Sequence, residues 1–261
     1  MIMKRLGILG NGFLAGIVVE AAEKGMLADY ELVGILGRSE EKTKALAERA
    51  GCRACFTIEA LLEQKPDYVA EAASVAAVRD YAEVLLSNGA DLAVLSIGAF
   101  ADEAFYRRTA KTAAENGTRV HIASGAIGGF DVLRTVALMG EARVGFETQK
   151  GPASLQNTPL FQESLMTDSE ETRVFEGTAK EAIALLPTKV NVAVAAALAS
   201  VGPENERVGI TSVPGFVGDD HRITAEIDGV KAVVDIYSST SAIAGWSLVA
   251  LLQNLAAPIA F

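Results

Sequence analysis

Residues 5–25 read RLGILGNGFLAGIVVEAAEKG, and the fold of the first half of the chain follows from how that stretch divides. RLGIL is a short apolar run suited to a buried strand. From Phe13 the apolar residues suit a helix that stops at Gly25. Between the two lies Gly10-Asn11-Gly12-Phe13-Leu14-Ala15, a G-x-G-x-x-A turn. The first glycine permits the tight turn and the second lets backbone approach a pyrophosphate. Ala15 is small enough for close helix–strand packing, and the helix N-terminus favours negative charge. Glycine-rich turns also occur as plain structural turns. In this strand–turn–helix context the sequence predicts dinucleotide binding, with Gly10, Gly12, Phe13 and Leu14 at the cofactor.

The alternation continues outward from this unit. YELVGIL, DYVAEAA, DLAVLS and RVHIAS read as strands, separated by the helical runs EEKTKALAERA, AAVRDYAEVLLSNG and DEAFYRRTAKTAAENG. Strands joined by helices of this length imply right-handed crossovers and a parallel sheet. After about Ser124 the texture changes. Helices GTAKEAIALL and NVAVAAALAS mix with strands ERVGITSV, HRITAEI and VKAVVDIY, and residues 156–173 are polar and irregular. The expectation is α/β: an N-terminal Rossmann domain over residues 1–123 and an α+β domain with a mostly antiparallel sheet over 124–239. A last helix within 240–261 packs back on the first domain.

Composition excludes several function classes. Lys and Arg number 23 against 33 Asp and Glu, a formal charge of −10, so the basic stripe that nucleic acid requires is missing. The apolar segment from Ala242 to Leu252 is too short for a bilayer span, and the N-terminus lacks a signal-peptide layout. The expected compartment is the cytoplasm. Cys52 and Cys55 form a C-x-x-C pair without the further ligands a zinc site needs, so no metal is expected and the pair reads as packing.

The end of the second strand bears on which cofactor is bound. NAD enzymes usually carry an acid there for the ribose 2′-hydroxyl, whereas this chain reads Gly37-Arg38-Ser39. Arg38 can pair with a 2′-phosphate and Ser39 can donate to it, which favours NADP(H) and leaves NAD(H) open.

Several longer stretches are more specific than the glycine turn. EAASVAAVRDYAEVLLSNGADLAVLSIGAFAD (71–102), RVHIASGAIGGFD (119–131), FEGTAKEAIALLPTKVNVA (175–193), DDHRI (219–223) and STSAIAGWSLVALLQNL (239–255) together resemble the L-aspartate dehydrogenase family over nearly the whole chain. The resemblance implies a two-domain homodimer that oxidises L-aspartate to iminoaspartate with NAD or NADP. The imine then hydrolyses to oxaloacetate and ammonia or feeds pyridine nucleotide biosynthesis. By motif, Ala126 and Asn191 match cofactor-contact positions and His221 matches the catalytic histidine.

Read by themselves, these residues leave alternatives. His221 suits acid/base work at neutral pH, with Asp219 and Asp220 favouring imidazolium, or it is a surface histidine at a strand start. Ser124 and Gly125 open a second glycine loop whose amides can meet a carboxylate or the nicotinamide; a domain hinge needs the same small residues. Asn191 is an amide toward the cofactor or a helix N-cap. Lys150, Lys189 and Arg222 are carboxylate-binding cations or solvated charges, Thr240 is a further substrate candidate, and His121 is structural.

The chain departs from the family pattern at Ile97, Lys189, Asp219 and Tyr237. It also has a longer polar loop over 153–172. These positions cluster on the substrate side and leave two other outcomes open: reduction of a different imine or keto acid, or an NADP-binding sensor.

Overall fold

The computed structural model describes residues 3–186 and 190–260. The chain divides into two compact units, Met1–Gly125 with Ala242–Phe261, and Ala126–Ser241.

The first unit runs β1 (Lys4–Leu9), α1 (Phe13–Glu23), β2 (Tyr30–Leu36), α2 (Glu40–Ala50), β3 (Arg53–Cys55), α3 (Ile58–Leu62), β4 (Tyr68–Glu71), α4 (Val75–Ser87), β5 (Asp91–Val94), α5 (Glu103–Asn116) and β6 (Val120–Ile122). Its six strands are ordered β3-β2-β1-β4-β5-β6 and every pair is parallel. That is the Rossmann order, with the chain reversing direction across the sheet between β1 and β4. The buried strand residues Leu6, Ile8, Ile35 and Ala93 join Ile17, Val18 and Ala21 of α1 in one core. Gly51 and Gly117 adopt the left-handed conformation at the C-caps of α2 and α5, which lets each helix stop and turn into the next strand.

The second unit runs α6 (Phe130–Leu138), β7 (Arg143–Lys150), α7 (Pro152–Leu155), β8 (Thr172–Thr178), α8 (Ala179–Leu185), α9 (Asn191–Ala199), β9 (Arg207–Ser212), β10 (Asp219–Ile227) and β11 (Val230–Ser238). The sheet order is β11-β10-β7-β9-β8. All its pairs are antiparallel except β7 with β9. Alternation gives β7 and β10 one apolar face, carrying Val144, Phe146, Ile223 and Ala225, against which α6 and α9 pack. The opposite face is charged, with the ion pairs Arg222–Asp235 at 2.9 Å and Lys231–Glu226 at 2.5 Å.

The chain returns to the first unit as α10 (Ala242–Ala256). Leu248, Val249 and Leu252 enter the core beside α1. Gly245 makes that close approach possible, because a Cβ there would lie 2.6 Å from Ile17 Cδ1. Tyr30 Oη and Lys4 Nζ donate to the carbonyls of Leu252 and Leu255 at 2.8 and 2.7 Å, satisfying groups near the helix end.

Two strands were not legible in the pattern. β3 lies within GCRACF and places Cys55 on the sheet edge, fully buried. Burial raises the Cys55 thiol and pushes Cys52 up to about 11, which fits inert packing thiols. β8 begins inside the stretch expected to be irregular, because its long pairing with β9 organises a polar sequence. β10 starts at Asp219, two residues earlier than the apolar pattern suggested.

Glu206, just before β9, is fully buried and neither carboxyl oxygen has a hydrogen-bond partner among the described residues. Burial raises its pKa well above 4.5, so the fold holds a proton that the unfolded chain releases as pH rises past that value. Stability is therefore lost progressively above pH 4.5. Glu206→Met should melt about 3 °C or more above wild type at pH 8, with the gap narrowing toward pH 5. Scanning calorimetry at both pH values checks this, and equal melting temperatures at pH 8 would refute it.

Candidate active site

In the first unit the carboxyl ends of β1, β2 and β4 border a cavity of about 340 Å³. Gly10, Asn11, Gly12, Gly37, Arg38 and Ser74 are among its lining residues. Gly10 has φ 131°, and a Cβ there would lie 2.5 Å from the Ala72 carbonyl oxygen, so only glycine lets β1 turn against β4. Gly12 is the N-cap of α1 with no side-chain cap, and a Cβ on it would meet nothing within 4 Å. The first amides of α1, those of Phe13 and Leu14, thus lie beside open space at a helix N-terminus. This is the cradle a dinucleotide pyrophosphate requires. The Phe13 ring lies outside that cradle: it is 63 % exposed and borders a neighbouring cleft with Gly16 and Lys42. Leu14 packs on the core.

The β2–α2 turn is held from inside. Ser39 is the N-cap of α2, its Oγ accepting from the Lys42 amide at 3.4 Å, which leaves the hydroxyl hydrogen able to donate. Arg38 is exposed on the cavity wall. Glu71, at the end of β4, is fully buried. Its carboxylate accepts from the amides of Ala73, Ser74, Leu95 and Ser96 at 2.8–3.2 Å and from Ser96 Oγ at 2.8 Å. Burial raises its pKa against these five bonds. A single acid at the end of an apolar strand was the sequence signal for this brace. Ile97 is buried just beyond it.

Ser124 and Gly125 close the first unit and Ala126 opens the second. The Gly125 amide donates to Ser247 Oγ at 2.9 Å. It is therefore spent on α10, which corrects its expected availability to a ligand. His121 pairs with Asp91 at 2.9 Å and is structural.

In the second unit, side chains that share one sheet face form a ladder. Register pairs Lys150 with Asp219, Thr148 with His221 and Phe146 with Ile223. Lys150 is 6 % exposed and forms an ion pair with Asp219. A buried ammonium requires such a partner. His221 is 3 % exposed, its Nδ1 sharing a hydrogen bond of 2.9 Å with Thr148 Oγ1. Phe146 lies under the ring at 5.5 Å between centroids. None of the described residues hydrogen-bonds Nε2.

Three expectations about this face are corrected. Asp220 alternates to the other face, so only Asp219 accompanies the ring. The ring is not held as imidazolium: burial and the Lys150 ammonium outweigh Asp219 and bring the pKa down to about 4. Lys150 is no free cation, and Arg222 is committed to Asp235 on the charged face.

Asn191 is the first residue of α9, whose N-cap is Val190, so of its two readings the capping one is excluded. Thr240 is exposed, its amide and carbonyl bonded to Ser238 Oγ at 3.3 and 2.7 Å. Tyr237 donates its hydroxyl to the Val217 carbonyl at 3.0 Å. Lys189 lies outside the described residues. Thr148 was missed as a site residue, although its spacing two before Lys150 puts both on one strand face.

The chain matches known proteins along its length. A family model described as "Aspartate dehydrogenase, C-terminal" matches residues 131–255. One described as "Homoserine dehydrogenase, NAD binding domain" matches residues 6–123. The L-aspartate dehydrogenases of Methanosarcina barkeri and Methanococcus maripaludis are each 32 % identical, with 98 % of both chains covered. The crystal structure of aspartate dehydrogenase from Thermotoga maritima aligns with a TM-score of 0.79 at 28 % identity, covering 99 % of each chain.

The His221 ring should stay neutral in the folded protein down to about pH 5, so the fold loses stability from this group as pH falls from 6.5 toward 4. Lys150→Met should raise its pKa, because Asp219 is then left unopposed. Imidazole NMR titration checks both, with His121→Gln separating the chain's 2 histidines. A wild-type His221 that titrates near 6.5 would contradict the electrostatic argument.

Proposed function

The chain belongs to the L-aspartate dehydrogenase family of oxidoreductases, and on that premise we propose that it oxidises the CH–NH2 group of L-aspartate, or runs the reverse reductive amination, with NADP(H) preferred over NAD(H). The observation that carries this reading is His221: buried, oriented at Nδ1 by Thr148 and with Nε2 bonded by none of the described residues. When bound, the nicotinamide accepts or supplies the hydride.

In this reading the first unit holds the cofactor. The amides of Phe13 and Leu14 with Gly10 and Gly12 take the pyrophosphate, and Arg38 and Ser39 take the 2′-phosphate. Ala126 and Asn191 contact the nicotinamide end, as the family pattern implies. Substrate chemistry and dimerisation fall to the second unit. His221 Nε2 takes a proton from the substrate ammonium, since a neutral amine is required before hydride can leave Cα. It releases that proton to solvent and, neutral again, takes one from the water that attacks the imine. The ring starts each oxidation unprotonated at neutral pH, and the arriving substrate carboxylates raise its affinity for the proton it takes. In the reverse direction the arriving carboxylates favour imidazolium, and the ring returns the proton.

Ser124, Gly125, Lys150, Lys189 and Thr240 are the proposed substrate contacts, with Gly125 acting through its backbone shape rather than its amide. No helix among the described residues is long and apolar enough to cross a membrane. We assign the working protein to the cytoplasm as a homodimer, to be checked by fractionation and light scattering. One observation favours a second substrate: Asp219 already neutralises Lys150, which suits a keto acid with a single carboxylate better than a dicarboxylate.

Purified protein should oxidise NADPH when given oxaloacetate and ammonia, followed by absorbance. His221→Ala should lower kcat by about 10²–10⁴ while NADPH affinity stays unchanged. Turnover only with monocarboxylic keto acids would move the substrate to the second reading. Full activity in His221→Ala would remove the histidine from the chemistry.

A further inference from the structure

Gly37 sits where the ribose-binding acid of NAD enzymes would stand, and the structure gives the reason it is glycine. It is not among the residues with positive φ, so conformational freedom does not require it. Volume does. A Cβ at position 37 would lie 2.4 Å from Asn11 Nδ2, 2.5 Å from Asn11 Cγ and 2.6 Å from Thr43 Oγ1.

Asn11 is the variable residue inside Gly10-Asn11-Gly12, yet its side chain reaches across to the β2–α2 turn. Nδ2 donates to the Ser39 carbonyl at 3.0 Å and to Thr43 Oγ1 at 2.9 Å. Thr43 Oγ1 and the Thr43 amide donate to that same carbonyl at 2.7 and 2.9 Å. Three donors therefore converge on the Ser39 carbonyl, in the peptide that leads from Ser39 into α2, and Thr43 is fully buried beneath them. A polar network satisfied in this way holds one backbone geometry, because loosening it strands a buried hydroxyl.

We propose that Asn11 is the residue that sets cofactor selectivity, acting with Thr43 as a positioning pair. It fills the space an acid at position 37 needs, and it fixes the turn that presents Arg38 and Ser39. The proposal rests on the NADP(H) reading above. It differs from that reading in placing the decision in the glycine loop rather than in Arg38 alone. The excluded acid would also repel a 2′-phosphate, so the same side chain removes the NAD contact and protects the NADP one.

The test compares wild type with an Asn11→Ala/Thr43→Ala background, introducing Gly37→Ala and Gly37→Asp into each. Melting temperature and the Kd of NADPH and NADH by nicotinamide fluorescence are the readouts. In wild type, Gly37→Ala should lower the melting temperature by about 5 °C, and this loss should vanish in the relieved background. Asn11→Ala alone should weaken NADPH about tenfold and leave NADH unchanged. Gly37→Asp should bind NADH better than NADPH only in the relieved background. If Gly37→Asp fails to fold in wild type, the Gly37→Ala pair still decides the steric claim.

Equal melting losses in both backgrounds, or a wild-type Gly37→Asp that is stable and prefers NADH, would overturn the role of Asn11. A wild type that binds NADH more tightly than NADPH would overturn the cofactor reading and the selectivity role with it.

Discussion

A parallel sheet with both faces buried sets the terms for the first unit. Such a sheet has no face to leave in water, so every strand must be followed by a covering helix and the central strands must be almost wholly apolar. Leu6, Ile8, Ile35 and Ala93 satisfy the second condition. The first is met by the crossover helices and by α10, a helix from the far end of the chain. Its seat depends on Gly245 against Ile17, an approach too close for any side chain. Crossover connections of one hand bring the carboxyl ends of β1, β2 and β4 to one edge. There Gly10 turns against the Ala72 carbonyl, and the cavity opens. The glycine turn and the cavity beside it are a consequence of sheet coverage rather than an addition to it.

The second unit follows a different logic, because its sheet is apolar on one face and charged on the other. On the apolar face, burial makes each polar side chain depend on its neighbour across the strand. Lys150 is desolvated and needs Asp219; His221 is desolvated and needs Thr148. The acid at 219, one of the chain's departures from the family pattern, changes the balance of this face. It pairs with the Lys150 ammonium, which remains close enough to help keep His221 neutral. A neutral histidine and a committed lysine therefore share one face.

Much of this was legible in the chain. Strands β1 and β2, helices α1 and α2 and the G-x-G-x-x-A turn follow from local pattern, because apolar period and glycine placement act over a few residues. The family resemblance nominated His221, Asn191 and Ala126 as site residues. The pattern did not reveal β3 or β8, since short or polar strands owe their order to pairing partners distant in sequence. It also misjudged the electrostatics of His221. Adjacent acids in sequence suggested imidazolium, but strand alternation sends Asp220 to the other face and brings Lys150 in from β7.

What the sequence by itself determined was the strand–helix alternation of the first unit and the placing of the G-x-G-x-x-A turn, and it named the candidate for carrying the proton. These depend on periodicity, on turn residues and on motif. What only the tertiary structure decided was the state of each charge and the purpose of each close approach. Lys150 is engaged, His221 is neutral, the Gly125 amide is spent on Ser247, and Gly37 is small because Asn11 lies against it. The physical reason is common to all four. Desolvation and excluded volume are properties of what surrounds a residue, and the surroundings are assembled from parts of the chain that are remote in sequence.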